Sequence, residues 1–341
     1  MTDRLERALG DVARRWVPDL RAGVWEVARA TSRAGQPVLA GATTSRDGLV
    51  ALRTMVVGHG LGCEVRLLPD ESVSADESWA VVTAAVAPLL SQPALRAEPA
   101  TQALHGEVLA VLERRGAWLR VRAPDEYHAW VHFGYLALGP AEWADDWSSR
   151  ASGVSLGADV RVEPGRCRLP FGARVALRGD GRVELADGWL GHVTSGAVRP
   201  EMEFGSEARI TAPGAWALRH FQGAPFLWGG RTTWGVDCSG LVQVTYAARG
   251  IGLPRDSDQQ ALAGQEVPLD PDGGGYAPGD LLFFAEDGKR ISHVALWVGE
   301  GRVVHSSISR GGVGEDQLFG DEDVARRLLP ALVGVRRVYS T

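Results

Sequence analysis

At 341 residues the chain exceeds one ordinary domain of roughly 150 residues, and its 45% hydrophobic and 23% charged composition supplies apolar material for more than one core. A net charge of −6, from 36 basic and 42 acidic residues, removes any electrostatic reason to expect nucleic acid or an anionic membrane as a partner. Three cysteines, Cys63, Cys167 and Cys238, are an odd number without metal-ligand spacing; they cannot complete a disulfide framework, and a reducing compartment suits them.

The opening segment, MTDRLERALGDVARRWVPDL, puts Leu5, Leu9, Val12 and Trp16 at helical spacing and predicts an amphipathic helix. It lacks the continuous apolar core of a signal peptide, and the sequence starts with Met. No later stretch is long and apolar enough to span a bilayer. The expectation is a cytoplasmic protein. Strand-like runs at 24–29 and 37–41, a helical stretch at about 45–58 and a strand at 65–68 complete a small α+β unit over residues 1–79. No chemical motif is evident in it.

Residues 80–140 read as all β, with short alternating runs at 107–112, 118–122 and 127–131 separated by turn-forming residues, which predicts a small barrel. Residues 151–200 repeat that texture, and DEYHAWVHF and DGWLGHVTS read as the same closing hairpin in two copies. Over 205–341 the grain changes. Thr211 and Pro213 look like the N-cap and first-turn proline of a helix running through Trp216 and His220. Strand runs follow at 281–284, 292–298 and 302–305, giving a helix followed by an antiparallel sheet.

The chemistry concentrates around Cys238. Gly229, Gly230 and Gly235 make the approach loop-like, and Leu241, Val242, Thr245 and Tyr246 then follow at helical spacing up to Gly250. Cys238 therefore sits at a helix N-terminus, where unpaired N–H groups and the helix dipole favour negative charge. A thiolate there is expected to have a lowered pKa, and the same N–H groups can stabilise an oxyanion. Such a nucleophile needs a base, and the base an orienting partner. His293 begins one strand and His305 ends the next, so a hairpin brings them together; His293 is the expected base and His305 its orienting group. A zinc site on Cys238, His293 and His305 is the alternative, although it lacks a Cys-x-x-Cys pair. Cys63 and Cys167 read as small buried hydrophobes, and His128, in the first closing hairpin, is a further candidate to face a substrate.

Leu95-Arg96-Ala97-Glu98-Pro99, Gly106-Glu107-Val108, Trp118-Leu119 and Tyr127 with Trp130-Val131 resemble bacterial SH3-like domains. Phe226-Leu227-Trp228-Gly229-Gly230, Asp237-Cys238-Ser239-Gly240, Pro254-Arg255-Asp256-Ser257 with Gln260, Pro278-Gly279-Asp280-Leu281 and Ser292-His293-Val294-Ala295 resemble the NlpC-type cell-wall endopeptidase family. The resemblance implies a multidomain α+β protein: the small N-terminal unit, two SH3-like β-barrels (80–140 and 151–200) and a papain-like α+β catalytic domain at 205–341. It implies a cysteine peptidase that cleaves the bond between γ-D-Glu and a diamino acid (lysine or diaminopimelate) in peptidoglycan-derived peptides, with no cofactor or metal. In relatives of this layout the first barrel walls off one end of the cleft, so that only a short peptide with a free N-terminal L-Ala fits. Asp256, Tyr127 and Glu98 are then candidates for its ammonium. Ser257 and Ser239 suit the D-Glu carboxylate, Trp228 lines the cleft, and Asp237 anchors the loop or touches substrate. Tyr127 is alternatively a packed aromatic, Glu98 a solvated charge and Asp256 a helix N-cap. The implied setting is murein peptide recycling. An amidase or acyltransferase on the same Cys-His pair, and a non-catalytic wall-peptide binder, are the other two readings.

Overall fold

The computed structural model describes residues 2–338. It is a mixed α+β structure whose four larger sheets each pack against an apolar core. Helix α1 (Thr2–Trp16) precedes β1 (Trp25–Thr31), β2 (Pro37–Thr43), α2 (Arg46–His59) and β3 (Gly62–Leu67). β1 and β2 are antiparallel; β2 and β3 are parallel, a pairing that needs a crossover, which α2 supplies. Ser45 caps α2 by accepting the Gly48 N–H at 3.0 Å. Leu5 and Leu9 of α1 pack with Leu39, Leu49, Leu52 and Val56.

A seven-stranded antiparallel sheet follows: β4 (Trp79–Val82), β5 (Val86–Leu90), β6 (Pro99–Leu104), β7 (Val108–Arg115), β8 (Trp118–Arg122), β9 (His128–His132) and β10 (Leu136–Gly139). Its spatial order is β10-β4-β7-β8-β9-β5-β6, around a core that includes Leu89, Leu109, Leu119 and Val131. The N-terminal unit docks on it through charge. Glu113 is buried and faces Arg120 at 3.0 Å and Arg66 at 3.2 Å, while Glu26 accepts from Arg115 at 3.1 Å and from Arg120. Arg115 and Arg120 each stack over Trp130 at 4.7 Å.

Helix α3 (Ala141–Arg150) then leads into a five-stranded sheet of β11 (Gly153–Val162), β12 (Gly165–Leu177), β13 (Val183–Glu184), β14 (Leu190–Ser195) and β15 (Val198–Pro200). Phe171 of β12 leaves this sheet's core for the next one. It meets Trp216 and Phe221 edge-to-face at 5.7 and 5.0 Å.

The remaining elements are α4 (Glu201–Ile210), α5 (Pro213–Phe221), the short pair β16 (Arg231–Thr232) and β17 (Gly235–Val236), α6 (Cys238–Ala247), α7 (Ser257–Gln260), β18 (Gln265–Val267), β19 (Leu281–Phe284), β20 (His293–Gly299), β21 (Arg302–Ser307), β22 (Gly312–Gln317), α8 (Asp323–Leu328) and β23 (Leu332–Arg337). The antiparallel sheet has the order β18-β23-β19-β20-β21-β22. Leu281 and Phe283 face the core beneath α5 and α6, and Leu282 and Phe284 face a second core with Trp297 and Leu328. Burial on both faces explains the unbroken apolar run in β19.

Three local expectations are corrected. Thr211 is not an N-cap: it ends α4, donating its Oγ1 to the Glu207 carbonyl at 2.9 Å, and Ala212 precedes Pro213 instead. α3 and α4 themselves fill stretches with no element expected. α3 is held by Trp147, whose Nε1 donates to the Gly106 carbonyl at 2.9 Å.

Candidate active site

Cys238 is the first residue of α6, and Asp237 is its N-cap. The Asp237 carboxylate accepts the N–H groups of Gly240 (2.7 Å) and Gly229 (2.8 Å), so it fixes both the helix start and the glycine-rich loop before it. A Cβ at Gly240 would lie 2.3 Å from the Gly230 carbonyl oxygen, so that close approach requires glycine. Beneath this turn Arg255 is 1% exposed and grips both oxygens of Asp237, Nη1 at 3.0 Å and Nη2 at 2.7 Å. Its other donors reach Ser239 Oγ (2.9 Å), the Gly230 carbonyl (3.3 Å) and Thr101 Oγ1 of the seven-stranded sheet (2.8 Å). With both oxygens engaged, Asp237 holds the loop, and of its two expected roles the anchoring one matches this geometry.

His293 opens β20 and His305 lies on β21, its neighbour in the sheet. His293 Nε2 and His305 Nδ1 are 2.7 Å apart, and His305 Nε2 is 2.8 Å from Asp316 Oδ2 on β22. Asp316 is also paired with Arg310. The imidazoles meet nitrogen to nitrogen, as hydrogen-bonding partners do, rather than converging on a common ion as the zinc alternative requires. The bond through Nε2 leaves Nδ1 of His293 as its second nitrogen.

Burial holds the His293 imidazole well below its ordinary pKa, and the nearby His305 adds to this. Burial pushes the Cys238 thiol up to about 12, with Asp237 adding to the shift; the N–H groups of Val294 and Ser239 and the charge of Arg255 pull the other way. This corrects the expected lowered thiol pKa, because desolvation outweighs the helix terminus. Burial thus disfavours the charged form of both groups. Burial pushes the Asp316 carboxyl up, but His305 and Arg310 outweigh it and keep the group below its ordinary range.

Half-buried Cys238 opens onto a cleft of about 520 Å³. Tyr127, Asp256, Ser257, Ser239, Asp237, Trp228 and Glu98 all line it, so these seven expected substrate residues lie in the same cavity as the cysteine. His293 directly follows the lining residue Ser292 in the chain, and His305 reaches it from the neighbouring strand. The Tyr127 hydroxyl hydrogen-bonds to Asp256, and burial with the Asp256 charge raises its pKa. Asp256 precedes α7, its N–H donating to Gln259 Oε1 at 3.4 Å, so cap position and cleft position coincide. Glu98 and Trp228 are exposed at the rim, and Ser257 is buried. His128 turns elsewhere: its Nε2 is 2.8 Å from the Leu20 carbonyl.

Several participants escaped sequence reasoning. Arg255 stood in a quoted motif without a role, although an arginine next to Asp256, a residue already expected at the cleft, was the available signal. Asp316 follows His305 by a strand and carries no motif. Asp258 and Arg290 line the cleft beside residues of the quoted motifs but were given no role, and Arg21 lines it from a segment where only the folded chain shows its proximity.

A profile described as the NlpC/P60 family matches residues 223–327, and one described as the bacterial dipeptidyl-peptidase Sh3 domain matches residues 89–133. The chain is 45% identical over 229 residues to the gamma-D-glutamyl-L-lysine dipeptidyl-peptidase of Bacillus subtilis, an alignment that takes in 60% of this chain and 71% of that protein. It is 28% identical over 275 residues to dipeptidyl-peptidase 6 of Lysinibacillus sphaericus, covering 74% of this chain and 97% of the relative. Among solved structures, an NlpC/P60 family protein from Bacillus cereus superposes with a TM-score of 0.62 at 22% identity, over 76% of this chain and 99% of that one, which speaks to the shared fold.

Proposed function

Because this chain belongs to the NlpC/P60 family and is a cysteine peptidase, we propose that it hydrolyses the γ-D-Glu–diamino acid bond of peptidoglycan-derived peptides that carry a free N-terminal L-Ala. The observation that carries the reading is a single cleft lined by Cys238 together with Tyr127, Asp256 and Glu98. An ammonium entering a partly desolvated site needs a counter-charge, and Asp256 and Glu98 offer it. The curated relative from Bacillus subtilis, named for γ-D-glutamyl-L-lysine, supports the choice of bond.

In this reading Cys238 Sγ attacks the scissile carbonyl carbon while His293 takes the thiol proton at Nδ1. Burial disfavours the charged form of both groups before substrate binds, which favours proton transfer together with attack. The N–H at the start of α6 stabilises the oxyanion. The C–N bond then breaks, and His293 delivers its proton to the leaving amine. Water hydrolyses the thioester, its proton passing through His293 back to Cys238. His305 holds the His293 ring, and Asp316, missed in the sequence, holds His305 in turn. Ser257 and Ser239 serve the D-Glu carboxylate, and Trp228 covers the cleft rim. The division into an N-terminal unit (1–79), two SH3-like barrels (80–140 and 151–200) and a papain-like domain (205–341) belongs to the same proposal. So does a cytoplasmic role in murein peptide recycling: in intact wall the L-Ala nitrogen is an amide, whereas released peptides present the amine.

Asp316→Asn keeps the shape but removes the charge that faces His305. Its kcat is expected to fall on the order of 10- to 100-fold, less than loss of a group that touches the reacting atoms; a stopped assay on purified protein reads this, and unchanged kcat would remove Asp316 from the relay. The reading itself is tested with L-Ala-γ-D-Glu-L-Lys and its N-acetylated form, products being identified by mass spectrometry. Release of L-Ala-γ-D-Glu and lysine is expected with a preference for the free amine of at least roughly 100-fold. Equal turnover of the two peptides refutes the free-amine reading.

A further inference from the structure

Arg21 lies in the N-terminal unit, outside both profile-matched segments, 89–133 and 223–327. It nevertheless lines the cleft together with Tyr127, Asp256 and Asp258. Every donor of its guanidinium fork has a carboxylate partner. Nε and Nη2 reach Asp19, each at 2.9 Å; Nη1 reaches Asp256 at 3.0 Å and Asp258 at 2.7 Å; Nη2 also reaches Asp258 at 3.1 Å. Asp19 in addition accepts Gln259 Nε2 at 2.7 Å. The segment carrying Arg21 is pinned to the hairpin of Tyr127: the His128 N–H donates to the Arg21 carbonyl at 2.9 Å, and His128 Nε2 meets the Leu20 carbonyl at 2.8 Å.

Three carboxylates gathered on one guanidinium leave this end of the cleft with a surplus of negative charge. Arg21 engages only Oδ2 of Asp256. A catalytic domain with Asp256 and Asp258 side by side and no such cation would hold two like charges that resist joint ionisation.

We propose that Arg21 is a positioning and specificity-determining residue: it gathers Asp256 and Asp258 into an anionic end wall that receives the α-ammonium of the peptide, making the N-terminal unit part of the substrate-reading machinery. This rests on the free-amine reading above. The groups facing Asp256 are Arg255, Arg21, Asp258 and Tyr127. Burial and Asp258 push the Asp256 carboxyl up, Arg255 and Arg21 pull it down, and the balance lies above its ordinary value. Removing Arg21 moves it further up, so that the charged form needed for an ammonium is lost at a higher pH.

The test compares wild type, Arg21→Ala and Arg21→Lys as full chains on L-Ala-γ-D-Glu-L-Lys and its N-acetylated form. Affinity is measured by calorimetry in a Cys238→Ala background from acidic to neutral pH. For Arg21→Ala, KM for the free-amine peptide is expected to rise roughly tenfold with kcat little changed, and the preference over the acetylated peptide to shrink by a similar factor. The acid limb of affinity is expected to move up by roughly one pH unit. Arg21→Lys keeps the charge without the fork; it is expected to restore the acid limb while KM stays raised, and it carries the test should Arg21→Ala fail to fold. Wild-type KM, preference and acid limb in the variants overturn the inference. So does a loss confined to kcat and melting temperature, which marks Arg21 as structural only. If wild type itself does not prefer the free amine, the functional reading has failed first and the inference falls with it.

Discussion

Cys238→Ala is expected to lose on the order of 10⁴-fold or more in kcat/KM on L-Ala-γ-D-Glu-L-Lys, leaving no lysine release above the uncatalysed rate in a routine assay. The size of the effect follows from the kind of step removed: without Sγ there is no thioester, and neither the N–H groups at the start of α6 nor His293 can substitute for a nucleophile. The folded state should change little. Cys238 is half-buried at the cleft wall, and the cap of α6 is supplied by Asp237 and is untouched by the substitution. Matching melting temperatures together with lost turnover therefore assign the loss to chemistry. Turnover within tenfold of wild type would remove Cys238 as the nucleophile and with it the proposed mechanism.

Arg255→Met is expected to destabilise the protein by about 3–5 kcal/mol, the cost of leaving one partner of a buried ion pair without the other. The Arg255 and Asp237 side chains are 1% and 9% exposed, so water cannot replace the missing guanidinium. The loss also reaches past the peptidase domain, because Arg255 Nε donates to Thr101 of the seven-stranded sheet at 2.8 Å. Adding Asp237→Asn should recover part of the stability, since asparagine still caps α6 but carries no charge to strand. Urea unfolding of the single and double variants decides it. A single variant within about 0.5 kcal/mol of wild type, the range of an ordinary surface change, would show that the pair is not the keystone its burial suggests.

What the sequence disclosed depended on how local the cause was. The helix beginning at Cys238 was legible because its cap, first turn and apolar spacing are contiguous, and β19 was legible as an apolar run. α3 was not, because α3 is fixed by Trp147 reaching the Gly106 carbonyl, a contact across the fold. Thr211 was misread because a hydroxyl residue just before a proline suits a helix start, and only α4, ending there, uses it instead.

The same division runs through the site. Cys238 and His293 stand in short quoted motifs, and His305 was expected from the strand run that follows His293. Asp316 is set by strand register, which no local pattern encodes. The thiol pKa was expected to fall for a sound local reason, the helix terminus, and rises because desolvation is a property of everything packed around it. Arg21 was invisible for a similar reason: it lies 235 residues from Asp256.

The cleft walls also arrive in a particular order. Arg21, Glu98 and Tyr127 all precede Cys238 in the chain, and domains generally fold as they emerge during synthesis, N-terminal first. The segments that close the cleft are thus made before the nucleophile leaves the ribosome. A nascent chain has these walls in place by the time it acquires its cysteine, and it never passes through a stage in which a finished peptidase domain stands without them.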